Sequence, residues 1–152
     1  MKKGLTTFAL VLIAFATFGC VAQANYTDIA SKEWRLVKVK TDRGYIEMDR
    51  KALEKAGFFR AFTIVFETDR ISGAGAPNRF FVPYEIGENQ TISVKPIGVT
   101  QIASLTESEG FKESEFFSYL QNARAWNLDG DELTLSTVDS KGAKATLIFA
   151  GE

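Results

Sequence analysis

The sequence predicts an α+β domain whose mostly antiparallel sheet curls toward an open barrel, carrying one main helix and a short inserted one. Three observations carry this. Apolar and polar residues alternate over most of the chain, as strands with one buried face require. Tight-turn residues rather than helices separate the alternating runs, so no βαβ rhythm exists. Only two segments show helical spacing.

The chain begins with Lys2 and Lys3, then an apolar run from Leu5 to Phe18, then small residues at Ala22 and Ala24 where a signal peptidase would cut. The run is too short to span a bilayer comfortably. Residues 1–24 are therefore expected to be an export signal. A second reading stays open, in which a lipoprotein signal covers 1–19 and Cys20, the only cysteine, is acylated. Thr17 and Phe18 fit that pattern poorly. The first reading yields a soluble periplasmic protein and the second an outer-membrane lipoprotein, with Cys20 its only membrane attachment. Residues 25–32 are expected as a short linker, and 33–150 as a single domain.

Within the domain, "EWRLVKVK" sets Trp34, Leu36, Val37 and Val39 in a strand pattern, and "TIVFE" places Phe62, Ile64 and Phe66 on one face. Asp49 is a good cap for "RKALEKA", with Gly57 a natural stop. "RFFVPYEI" alternates again, and its Pro83 suggests an edge or bulge position. "TISVKPI" follows the turn-like "GENQ". The longer helix is expected from about Ser108 to Asn122, capped by Thr106 or Ser108, with its acidic start solvated and Phe116 and Leu120 on its apolar stripe. "AWNL" and "LTLS" flank "DGDE", where Asp129 and Gly130 fit the centre of a hairpin turn better than a calcium loop. "WRL…TIVF" and "WNL…TLIF" read either as two related β-units, the first carrying the insertion "DRKALEKAG", or as shared strand composition.

Composition narrows the chemistry. Histidine is absent, which removes imidazole bases, imidazole metal sites and Ser-His-Asp enzymes. Cleavage after Ala24 would remove the only thiol too. Eighteen basic residues less the two leader lysines leave 16 against 19 acidic, a net charge of −3. Such a chain has no basic stripe for nucleic acid. No cofactor or metal is expected. Carboxylates remain, so composition leaves open a carboxylate-based hydrolase or an all-oxygen calcium site.

The stretch "ISGAGAPNRFF", Ile71–Phe81, has glycines at 73 and 75. A phosphate cradle needs amides at a helix start, yet Pro77 has no amide and strand alternation follows. Gly73, Gly75, Asn78 and Phe80 are therefore expected to form a structural turn, stiffened by Ala76 and Pro77 and ordered, with Asn78 bonded to the turn backbone.

Taken in order, Trp34, "TIVFETDRISG", "GAGAPNRFF", "TQIAS" from Thr100, "ESEFFSYL", "WNLDGDELTLS" and "TLIF" resemble the signature of the META/HslJ-like domain family over essentially the whole mature chain. The family turn has a second Gly and a Cys where Ala76 and Pro77 stand, and a later Cys where Ser104 stands. Loss of both cysteines tells against a redox role carried over from cysteine-bearing members. The resemblance implies an α+β envelope domain, periplasmic or lipid-anchored, associated with stress tolerance or virulence and without established enzymatic activity. The expected function is non-enzymatic binding of a protein partner, by a monomer, in envelope stress tolerance or assembly. A hydrophobic ligand or lipid held inside a cracked barrel is the alternative. Adjacent strand residues face opposite ways, so Phe80 and Phe81 cannot both enter one core. Arg79 and Phe81 are accordingly the candidate binding residues.

Overall fold

Each alternating run becomes a strand, and each strand meets its neighbour in antiparallel register. The structure is a computed structural model, which describes residues 24–101 and 110–151. The strands are β1 (Glu33–Thr41), β2 (Gly44–Glu47), β3 (Thr63–Phe66), β4 (Arg70–Ala74), β5 (Arg79–Ile86), β6 (Ile92–Val94), β7 (Gly98–Val99), β8 (Ala125–Asp129), β9 (Glu132–Val138) and β10 (Lys144–Gly151). The helices are α1 (Arg50–Lys55) and α2 (Glu113–Gln121). The sheet runs β6-β5-β4-β3-β1-β10-β9-β8, with β2 beside β1 and β7 beside β5.

The sheet curls until its two ends almost meet. Between β6 and β8 there is an isolated bridge, Thr91 to Ala125, and a bond from the Ile92 N–H to the Arg124 carbonyl at 3.0 Å. The result is a nearly closed barrel with an unsealed seam.

The interior is filled by side chains. Trp34, Phe62, Phe66, Phe116 and Phe149 are all buried to 1% exposure or less, and edge-to-face contacts link Phe62 to Phe111 and Phe116, and Phe80 to Phe116 and Phe117. Helix α2 supplies Phe116, Tyr119 and Leu120 to this core, and the Thr137 hydroxyl donates to the Tyr119 carbonyl at 2.6 Å. Burial pushes the Tyr119 phenol up from its ordinary pKa.

Strand β1 carries a bulge at Val37, where the register against β10 steps from Leu36 to Lys38. The extra residue explains why Leu36 and Val39, three apart, both point inward. Arg50, at the start of α1, donates to the Leu36 carbonyl beside that bulge and to the Ala61 carbonyl at 2.6 Å. Asp49 caps α1 as expected, accepting from the Ala52 N–H at 3.0 Å. In the first Trp-to-Phe unit the closing strand β3 pairs with the opening strand β1; in the second, β9 lies between β8 and β10.

Several sequence expectations need correction. Residues 25–32 are not a free linker: a single 3₁₀ turn at Tyr26–Asp28 docks on the barrel and Ile29 is fully buried. The Trp34 indole donates to the Ile29 carbonyl at 2.9 Å, and the Tyr26 hydroxyl to the Glu67 carbonyl at 3.0 Å. The Tyr84 hydroxyl reaches the same carbonyl at 2.8 Å, and burial together with its bond to Tyr26 raises its pKa.

Helix α2 starts at Glu113, not near Ser108, because Gly110 takes a left-handed backbone, φ +89°, and Phe111 turns into the core. The expected caps Thr106 and Ser108 lie outside the described residues. Strand β3 starts one residue after Phe62, which has φ +57°. Strand β5 is interior rather than an edge. Backbone N and O of one residue in an antiparallel ladder face the same side. The Pro83 carbonyl accepts from the Lys95 N–H, so its missing donor falls in the gap between β6 and β7. The hairpin centre is Gly130 and Asp131, since Asp129 pairs with Glu132.

Candidate functional site

The corner between β4 and β5 is where the candidate residues converge. Gly75 donates to the Asn78 carbonyl at 2.7 Å, closing a turn around Ala76 and Pro77, whose peptide bond is cis. The turn is held from a distance of 35 residues or more in sequence. Glu113, at the first position of α2, accepts with Oε1 from the Ala76 N–H at 2.7 Å and the Asn78 N–H at 2.6 Å. Its Oε2 accepts from Asn78 Nδ2 at 2.7 Å. The acidic start of α2 is thus a half-buried anchor for the corner at this residue, rather than a solvated face.

This arrangement gives the two glycines a steric role. A Cβ on Gly75 would lie 2.6 Å from Glu113 Cγ, and one on Gly73 would lie 2.9 Å from the Thr63 carbonyl carbon. Both positions need the absence of a side chain. Asn78 uses its side chain on Glu113 and on the Thr100 hydroxyl, which donates to Asn78 Oδ1 at 3.2 Å. The expectation that its side chain bonds the turn backbone is revised accordingly. Phe80 is buried to 3% and seated against Phe116 and Phe117.

Arg79 lies on the outer face. Its backbone is fixed by Thr100, whose hydroxyl accepts from the Arg79 N–H at 3.1 Å and whose N–H donates to the Arg79 carbonyl at 3.0 Å. Its guanidinium meets no carboxylate among the described residues, whereas Arg60 pairs with Glu33 and Arg70 with Glu67.

A groove of about 550 Å³ opens beside Arg79. Its floor is the corner and the outer face of β3 and β4, including Val65, Ser72 and Gly75. Its opposite wall is the loop from Gly57 to Ala61, which presents Phe58, Phe59 and Arg60. The left-handed backbone of Phe62 turns this loop over the sheet. That conformation costs a bulky residue about 1–2 kcal/mol, offset by complete burial of the ring. Phe59 is 66% exposed. In the sequence this wall is visible only as "GFFRAF", which carries more Phe than one buried face needs and suits the hydrophobic-ligand alternative; no residue of it is a candidate binding residue there.

The structure brings Arg79 and Phe80 to this groove and leaves Phe81 out of it. Phe81 is 57% exposed, and its ring lies over Gly98 of β7, close to where a Cβ would be. Cys20 lies outside the described residues, as does Ser104. Among the described residues no cluster of carboxylates is arranged to hold a metal ion, and no helix is long and apolar enough to cross a membrane. A second cleft, between the β1–β2 hairpin and α2, does gather Asp42, Glu115 and Asp139. Two of these have backbone duties: Glu115 accepts from the Lys112 N–H, and Asp139 from the N–H groups of Ala143 and Lys141, which lower its pKa.

A side-chain-filled antiparallel barrel, open along one seam and braced by a single helix that anchors a β-corner, is the class of domain defined here. Residues 27–151 match the family model of the META domain, and the chain belongs to that family. No curated protein sequence matches it. Among solved structures it is similar to a DUF4847 family protein from Bacteroides vulgatus, with TM-score 0.53 and 20% identity over 80% of this chain and 93% of that one. It is also similar to a protein from Burkholderia xenovorans solved by NMR, with TM-score 0.57 and 15% identity over 100% of this chain and 99% of that one. At these identities the likeness is one of fold.

Proposed function

We propose that this META-domain protein is exported to the cell envelope and acts without catalysis, binding a protein partner through the groove between Phe59 and Arg79. Its role would lie in envelope stress tolerance or assembly. The observation that carries the reading is the pairing of a largely exposed Phe59 with an Arg79 guanidinium that meets no carboxylate among the described residues, across one concave surface. The filled interior favours this surface mode over a lipid held inside the barrel, since Trp34, Phe62, Phe66, Phe116 and Phe149 occupy the space an acyl chain would need. Export is supported by the basic and apolar leader and the small residues at Ala22 and Ala24.

Two measurements test the proposal. Intact mass of protein recovered from its host should show a chain starting at Asn25 or an acylated Cys20; an unprocessed cytoplasmic chain contradicts export. A photo-reactive residue at position 59 should give one discrete adduct in cells. The same residue at Tyr45, comparably exposed but on the β1–β2 hairpin, should not. Equal labelling from both positions contradicts a dedicated groove.

A further inference from the structure

We infer that the groove takes an acidic, extended polypeptide segment of the partner, with an apolar side chain beside its carboxylates. The inference rests on the groove reading above and adds the chemistry of the occupant. Charge is the first argument. The chain as a whole is acidic, yet the described residues lining the groove include Arg60 and Arg79 and no carboxylate. Arg60 is shared with Glu33, which lies outside the lining, while Arg79 has no such partner among the described residues. A guanidinium meets a carboxylate through two parallel N–H bonds, so Arg79 is suited to a planar acid.

Apolar surface is the second argument. Phe58, Phe59, Pro77 and Val65 face the same space, and a bare anion would leave that surface wet. Two cations are fewer than the four to eight of a typical anionic-membrane patch. They are also too few to follow a phosphate backbone. The corner that carries Arg79 is already tied to Glu113 and Thr100, so binding would not have to order it.

The test is selection from a phage-displayed library of random hexapeptides against the full processed protein. The fluorescein-labelled winning peptide is then titrated into wild type, Arg79→Ala, Arg79→Lys and Phe59→Ser. Both side chains are exposed, and circular dichroism melts should match wild type. Winners should place Asp or Glu next to Phe, Leu, Ile or Trp. Affinity should fall about tenfold or more in Arg79→Ala, less in Arg79→Lys, and should weaken with added salt. An absence of selected peptides, winners without acids, or equal binding by Arg79→Ala would overturn the inference. So would displacement of the peptide by millimolar phosphate or by phosphatidylglycerol vesicles at equal potency. Adducts at position 59 in cells with non-acidic winners would leave the groove standing and remove its acid preference. Acidic winners with no adduct at position 59 would do the reverse.

Discussion

Two reversals of the chain, the β4–β5 corner and the β8–β9 hairpin, both contain glycine and both look like simple turns in sequence. They are built differently. The hairpin turns on two residues, Gly130 and Asp131, between directly paired Asp129 and Glu132, and only Gly130 needs a left-handed backbone, φ +58°. Its long-range ties among the described residues hold Asp131 alone: the exposed Lys32–Asp131 pair at 2.8 Å, and the Gly151 N–H donating to the Asp131 carbonyl at 3.0 Å. The corner depends on a carboxylate from α2 that accepts three hydrogen bonds. A local turn carries its own instructions; the corner receives them from a helix far along the chain, and it is the corner that positions Arg79.

The largest effect should come from Glu113→Ala, which leaves the Ala76 and Asn78 amides and the Asn78 carboxamide without their acceptor. A loss of about 2–4 kcal/mol in denaturant titration is expected. Glu113→Gln should lose less, since Oε1 can still accept, although more weakly than a carboxylate oxygen, while the new amide opposes Asn78 Nδ2. Next, Gly75→Ala should cost about 1–3 kcal/mol by forcing Glu113 away from the corner. Gly130→Ala in the hairpin should cost about 1 kcal/mol, from the left-handed backbone alone, because nothing lies within 4 Å of its added Cβ. Asp131→Asn should be invisible in the same titration, since the pair it breaks is solvent-screened. A corner variant as mild as Asp131→Asn would erase the distinction.

Acid should act elsewhere and weakly. The Ser72 hydroxyl, then Arg70, hold Glu67 below its ordinary value of 4.5. Lys32 does the same for Asp131, and the amides of Ala143 and Lys141 for Asp139. A carboxylate with a depressed folded pKa contributes stability that is present above its unfolded pKa and lost as pH falls through the folded one. The melting temperature should therefore hold steady above about pH 5 and decline from about pH 4.5 downward. Glu67→Gln should flatten part of that decline; an unchanged slope would discount its bonds to Ser72 and Arg70.

What was legible in the sequence follows the same division. Alternation exposed the strands, and Asp49 and Gly57 marked α1, because those signals act over a few neighbouring residues. The structural part of the glycine stretch was legible from Pro77 and the strand after it. The role of Glu113 was not: the family resemblance matches it to the Glu of the helix segment "ESEFFSYL", but nothing local in "TESEGFKESE" tells which acid turns back onto the corner. The groove wall was hidden too: it exists because Phe62 leaves the strand pattern, where alternation alone would continue it. The hairpin centre fell one residue away, since "DGDE" offers two ways of placing a two-residue turn. Gly110 and Phe111 moved the start of α2, trading a longer helix for a buried ring.

The corner is fixed from α2 before any partner arrives. Amide hydrogen exchange at Ala76 and Asn78, in wild type and in Glu113→Gln, measures this most directly. Both amides should be protected in the wild type and exchange about tenfold faster or more in the variant, with Leu133 and Leu135 of β9 unchanged. Fast exchange at Ala76 and Asn78 in the wild type, or protection indifferent to the substitution, would contradict it.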